Sequence, residues 1–246
     1  NLMIYYPVEK FLSRWTDTII TINHEDYERA KSKFHAKRVE YIPGVGIDLD
    51  KFSFSLFTKE ECGDVRKELG IPEDAIWLLS VGELNVNKNH ETVIRALEGM
   101  REKEPETFAN LYYTVAGEGD RRDELQSLIE TLGLSAQVKL LGYRNDVSLL
   151  CESADIFVMP SFREGLPVSL MEAMASGLPC VASRIRGNTD LLDEKGGMLF
   201  DPHSVDECWK AIGQVIHSNI EEAGCHNRNK IKHFGKAVVE KAMAET

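Results

Sequence analysis

Short apolar runs alternate with amphipathic stretches along most of this chain. Residues 75–82 (AIWLLSVG) form a continuous apolar run closed by glycine, the pattern of a strand buried on both faces. Runs of the same kind recur at 111–117, 137–142, 155–160, 179–183 and 197–200. Helical periodicity fills the gaps: 89–103 with Asn89 as N-cap, 120–133 ending on Gly133, 145–154, a stretch opened by Pro167, and 204–218. Strands that alternate with helices predict an α/β fold, a Rossmann-like parallel sheet with helices on both faces.

The N-terminal stretch breaks this rhythm. A helix, a strand at 17–22 (DTIITI) and a helix capped by Asn23 are followed by a strand near residue 39 and an irregular, glycine-rich crossing segment. A strand–helix pair without a sheet of its own needs a partner sheet. Residues 1–42 therefore read as the tail of a preceding α/β domain plus linker, and 43–225 as the main domain. The chain opens at Asn1 in what reads as mid-domain sequence, so a fragment lacking most of that first domain is expected.

Composition adds three constraints. The net charge of −11 argues against a general nucleic-acid surface, which needs a positive face. The five cysteines, Cys62, Cys151, Cys180, Cys208 and Cys225, are scattered and never spaced C-x-x-C. Neither a disulfide framework nor a zinc site is expected, and reduced thiols in a cytoplasmic protein are the simplest reading. No apolar run approaches the length of a membrane span.

In a parallel α/β sheet, ligands sit where strands end and helices begin. Four such turns carry usable chemistry. In VGELNVNKNH (81–90), Lys88 stands just ahead of a helix N-terminus, where a cation and free amides suit a phosphate; a solvated loop lysine is the plainer alternative. In AGEGDRRDEL (116–125), Gly117 and Gly119 fit a tight turn, and Arg122 occupies the slot of the third glycine of a dinucleotide fingerprint. In LGYRNDV (141–147), the backbone of Gly142 and Tyr143 can face a base edge, while Arg144 is either a phosphate or rim residue or a surface arginine beside Asp146.

The fourth turn, REGLPVSLMEAMASGLPCVAS (163–183), is the richest. The N–H groups of Gly165 and Leu166 and of the following first helical turn face the strand-end crevice. Glu164 stands before the helix and Glu172 one turn inside it, on a face of small, mostly apolar neighbours. An ionised carboxylate there needs a partner. A ligand's vicinal hydroxyls are one candidate; Arg184 or Arg186 is the other.

Taken together these residues resemble glycosyltransferase family 4, retaining enzymes of the GT-B fold. The E-x7-E element from Glu164 to Glu172 is the most specific piece, and IPGVGID, VGELNVNKNH, AGEGD and LGYRNDV fall in the family's order. IPGVGID and VGELNVNKN look most like bacterial exopolysaccharide or capsule transferases. The resemblance implies that 43–225 binds a nucleotide-sugar donor, with UDP preferred, and that 226–246 holds helices running back toward the acceptor domain. It implies donor contacts from Gly82, Lys88, Tyr143, Arg144, Glu164, Gly165, Leu166 and Glu172, with Lys88 on the diphosphate, Glu172 on the ribose hydroxyls, and Glu164 with Lys88 as the catalytic groups. It implies neither metal nor cofactor, a saccharide or lipid-linked acceptor, and a place in the cytoplasm, with peripheral membrane contact through the absent domain.

One position departs from the family pattern. Glu83 stands where many relatives carry an arginine that pairs with the lysine on phosphate. Arg144 or Arg163 is a candidate to replace that charge. The substitution keeps two other readings open, a non-catalytic nucleotide-sugar binding module and a GT-B nucleotide-sugar epimerase.

Overall fold

The computed structural model describes residues 2–246, which divide into two compact units, one of residues up to 47 with 233–246 and one of 48–232. The sequence had suggested divisions at 42/43 and 225/226. In the smaller unit, helix α1 (Leu2–Leu12) leads to strand β1 (Thr18–Thr21), helix α2 (His24–Lys33) and strand β2 (Arg38–Tyr41). β1 and β2 pair in parallel, from Thr18 opposite Arg38 to Thr21 opposite Tyr41. Asn23 caps α2 by accepting the Asp26 N–H at 2.8 Å, as expected of Asn at that position.

The larger unit is a doubly wound sheet. It begins with helix α3 (Lys59–Glu68) and continues as strand β3 (Ile76–Val81), helix α4 (His90–Lys103), helix α5 (Pro105–Ala109), strand β4 (Leu111–Ala116), helix α6 (Arg122–Thr131) and strand β5 (Val138–Gly142). Helix α7 (Val147–Ser153), strand β6 (Ile156–Met159), helix α8 (Val168–Ala175), strand β7 (Cys180–Ser183), helix α9 (Asn188–Leu191), strand β8 (Gly197–Phe200) and helices α10 (Val205–Ile216) and α11 (Ile220–Ile231) follow. The final helix, α12 (Lys236–Ala244), belongs to the smaller unit, where the Ile47 N–H donates to the Phe234 carbonyl at 2.9 Å and the Ile47 carbonyl accepts from the Lys236 N–H at 3.0 Å.

The six strands of the larger unit are all parallel, in the order β5-β4-β3-β6-β7-β8. From β3 the chain builds outward through β4 to β5, then returns to the other side of β3 with β6. The direction of winding reverses between β3 and β6, and there the pairing is shortest, only Leu78 with Ile156 and Leu79 with Phe157. There the chain leads from β3 into α4 over one face and from β6 into α8 over the other, the switch point at which sheets of this kind offer a ligand crevice.

Helices cover both faces, so the central strands lose their exposure entirely. Trp77, Leu78, Leu79, Ile156 and Phe157 are fully buried. On one face α4 presents Val93, Ala96, Leu97 and Met100, and α10 presents Cys208, Ala211, Ile212 and Val215, the spacing of one helical stripe in each case. α4 and α10 pack together over the sheet; α7 and α8 pack against strands from the other side. The indole N–H of buried Trp77 donates to Thr114 Oγ1 at 2.8 Å, so a polar atom enters the core without being stranded.

Helix α3 was absent from the sequence expectation for a physical reason. Val65 is its only buried residue, so it carries no apolar stripe. Its signal is a capping box: Thr58 Oγ1 accepts from the Glu61 N–H while Glu61 accepts from the Thr58 N–H. The helix matters because Arg66 pins the base of the β3–β6 seam. Its guanidinium donates to the carbonyls of Ser153 and Ala75 at 2.9 Å each and to Asp155 Oδ2 at 2.7 Å, and that same carboxylate accepts the Trp77 N–H at 2.7 Å. The Arg66 side chain is 12% exposed. Arg66→Ala strands two carbonyls and a carboxylate, and is expected to lower the unfolding free energy by about 3 kcal/mol in urea titration, with Arg66→Lys recovering only part of it.

Candidate strand-end site

The crevice at the C-terminal end of the β3–β6 seam is built from the loops after β3 and β6. Side chains and backbone tie these loops together before any charge is considered. The Phe162 N–H donates to the Asn87 carbonyl at 2.8 Å, and Asn87 Nδ2 donates to the Arg163 carbonyl at 2.9 Å. Asn89 Nδ2 reaches the carbonyls of Pro160 and Pro202 at 3.0 Å each, so one buried amide joins the ends of β3, β6 and β8. Asn89 occupies the N-cap position of α4, yet its side chain makes no cap bond and its φ is +54°. The strap between strand ends takes precedence over the capping expected from sequence.

Lys88 and Glu164 meet across the crevice. Lys88 Nζ lies 2.8 Å from Glu164 Oε1, with side-chain exposures of 22% and 13%. The aliphatic part of Lys88 lies over Gly82, where a Cβ would stand 3.4 Å from its Cε. The Lys88 N–H is held by Asn85 Oδ1 at 3.0 Å. On the other side, Arg186 Nε donates to the Glu164 carbonyl at 3.3 Å. Gly187, at φ +81°, packs so tightly on the Gly165 carbonyl that a side chain there would collide with it. The loop after β7 thus backs the turn that presents Gly165 and Leu166.

α8 begins at Val168, with Pro167 in the N-cap position at ψ 121°, one residue ahead of where the sequence suggested it would enter the helix. Leu166 is buried and Gly165 half-buried. Glu172 is half-buried in α8, and burial pushes its carboxyl above the usual carboxylate range, partly opposed by the charge of Lys51. Lys51 was not among the cations considered from sequence. Arg184 donates to the Leu199 carbonyl at 2.8 Å.

The two remaining strand ends behave differently. Arg144 is held by Asp146 at 2.8 and 2.6 Å and by Glu68 at 2.7 Å, which spends its charge on protein carboxylates. Tyr143 is 77% exposed beside it. Gly117 and Gly119 are explained by close approach: a Cβ on either would collide with the backbone of Gly82 or Leu84. Arg122 donates to the Leu140 carbonyl at 3.3 Å. Glu83 is exposed and accepts from Asn85 Nδ2 at 2.8 Å, so its charge is solvated. Among the described residues, no group of three or more His, Cys, Asp or Glu side chains is placed to hold a metal ion, and no helix is long and apolar enough to cross a membrane.

Comparison with known proteins identifies the architecture. Residues 63–238 match the family described as glycosyl transferases group 1. The chain belongs to the group 1 glycosyl transferases. Among relatives of this glycosyl transferase chain, the Bacillus subtilis (strain 168) protein named for the glycosyltransferase EpsD is 34% identical over 249 residues, covering 100% of this chain and 64% of that protein. The Escherichia coli UDP-Gal:alpha-D-GlcNAc-diphosphoundecaprenol alpha-1,3-galactosyltransferase is 28% identical over 234 residues, covering 92% of this chain and 59% of that one. A crystal structure of Anabaena Alr3699/HepE in complex with UDP and glucose shares the fold at a TM-score of 0.85 and 20% identity, covering 100% of this chain and 66% of the other. The chain therefore spans somewhat under two thirds of these curated relatives.

Beneath the crevice lies a buried polar chain. Ser80 Oγ donates to the Val158 carbonyl at 2.5 Å, Tyr113 OH donates to Ser80 Oγ at 2.9 Å, and His90 Nδ1 lies 3.3 Å from Tyr113 OH. That direction of donation leaves the tyrosine oxygen to accept, so the His90 proton sits on Nδ1. Burial lowers the His90 pKa from 6.5 to about 4, with the charges of Lys88 and Arg121 acting the same way and the Glu83 carbonyl opposing. The folded site keeps this histidine neutral, so the unfolded chain binds the proton first. The stability contribution is whole above pH 6.5 and is lost as pH falls toward 4, by up to about 3 kcal/mol. Denaturant titrations from pH 7 to pH 4 are expected to show that slope, and His90→Leu to remove this part of it.

Proposed function

We propose that this chain is the donor-binding part of a retaining, metal-independent glycosyltransferase that moves a sugar from a UDP-sugar to a saccharide or lipid-linked saccharide in cell-surface polysaccharide synthesis. The observation that carries the reading is the convergence of Lys88, Glu164 and the Gly165–Leu166 turn at the switch point of the sheet. A cation beside exposed amides suits a diphosphate, and a carboxylate beside them suits a sugar's hydroxyls. The E. coli relative, which carries UDP-Gal and a diphosphoundecaprenol acceptor in its name, supports the donor and acceptor classes. The fold neighbour crystallised with UDP and glucose supports a UDP-linked donor.

Residue roles follow from position. Lys88 and the Gly165 and Leu166 amides neutralise the diphosphate. Glu172, half-buried with a raised pKa, grips the ribose hydroxyls. Glu164 contacts the transferred sugar, Gly82 lies beneath the Lys88 side chain, and Tyr143 borders the base. Arg144, already paired with Asp146 and Glu68, acts at most at the rim. In transfer, the sugar C1–O bond to the diphosphate breaks as the acceptor oxygen bonds to the same face, and the acceptor proton passes to the leaving phosphate oxygen. Groups preorganised at that oxygen supply the main stabilisation of the transition state.

Titration calorimetry of the chain with UDP, GDP and ADP tests the assignment. UDP is expected to bind most tightly, and Lys88→Ala and Glu172→Ala each to weaken it at least about tenfold. Wild-type affinity in both variants would remove the donor-pocket assignment.

A further inference from the structure

The Lys88–Glu164 pair raises a problem that the proposed donor site must solve. The ammonium assigned to the donor's diphosphate is bonded to a protein carboxylate at 2.8 Å. Both side chains are largely buried, so water screens the pair less than a surface ion pair. Among the described residues neither makes another ion pair, and each is the charged partner of the other. A diphosphate that engages Lys88 takes the ammonium away from Glu164. It also places negative charge next to a carboxylate that has lost its counter-ion.

The loops do not depend on this pair for their positions. Phe162 and Asn87 exchange bonds with the opposite loop, Asn89 straps three strand ends, and Arg186 and Gly187 back the Glu164–Gly165 turn. The ion pair can open while the backbone stays where it is. What happens to Glu164 then depends on the ligand. A nucleotide sugar offers hydroxyl donors that can satisfy the freed carboxylate. A free nucleoside diphosphate offers charge and no donor at that place.

We propose that Glu164 is an internal competitor of the donor's diphosphate for Lys88, which makes the site favour the intact nucleotide sugar over the free nucleoside diphosphate. The inference rests on the donor-site reading above and adds a direction to it. Before transfer, the sugar hydroxyls compensate the displaced carboxylate. After transfer the sugar has gone, Glu164 again competes for Lys88, and the nucleoside diphosphate is driven off. The glutamate thus discriminates substrate from product as well as contacting the sugar.

The test is a calorimetric comparison of UDP with UDP-glucose and UDP-galactose on the wild-type chain, Glu164→Gln, Glu164→Ala and Lys88→Ala, with thermal melts to establish that each variant is folded. Wild type is expected to prefer a sugar nucleotide over UDP. Both Glu164 variants are expected to bind UDP about fivefold more tightly than wild type and to lose most of that preference. UDP binding by both Glu164 variants no tighter than wild type, with Lys88→Ala still weakened, overturns the competitor role and leaves the donor site standing. Unchanged UDP affinity in Lys88→Ala overturns the assignment of Lys88 to the diphosphate, and the competitor role with it.

Discussion

The β3–β6 seam is the constraint on which the rest depends. β3 and β6 share only two residue pairs, so their short ladder gains from reinforcement by side chains. That reinforcement comes at both ends. At the base, Asp155 bonds the Trp77 backbone and Arg66. At the top, Ser80 donates across the seam to Val158 and is itself held by Tyr113. The seam is also the topological switch point of the sheet, where folds of this kind bind ligands, so structural pins and candidate ligand chemistry stand close together. His90 belongs to this pinning: it is buried and neutral, and its proton is used to complete the chain of hydroxyls.

Charge in the crevice is arranged sparingly. Lys88 has one carboxylate partner, Glu164, and both come from loops whose backbones are fixed independently. Glu172 is half-buried in α8, with burial opposing its ionisation and Lys51 favouring it. The Glu83 carboxylate is exposed and bonded to Asn85, so it imposes less repulsion than a buried acid would. Arg144 contrasts with Lys88. Two carboxylates already hold it, which suits a structural link between α3 and the β5–α7 loop.

Much of this was legible along the chain because one residue's burial repeats at a fixed period. The six strands announce themselves as apolar runs bounded by turn residues, and the stripes of α4 and α10 give their helices. α3 is silent by that measure because it buries only Val65, although its Thr58–Glu61 capping box was there to be read. Lys88 and Glu164 were each suspect from their place before a helix, yet their contact spans 76 residues of sequence and no spacing rule brings them together. Asn87 and Asn89 look like turn residues in sequence; only the fold shows that their amides tie one strand end to another. Lys51 was invisible as a neighbour of Glu172 for the same reason.

The central claim is that the donor sits where β3 and β6 part. Amide hydrogen exchange with and without saturating UDP tests it most directly, because protection reports which backbone groups the ligand covers or steadies. The account predicts protection in residues 82–90 and 163–170, with little change around the cavity of about 500 Å³ between β8, α10 and α11, lined in part by Glu194, Gln214 and His226. Protection concentrated at that cavity, with residues 82–90 and 163–170 unaffected, would contradict it.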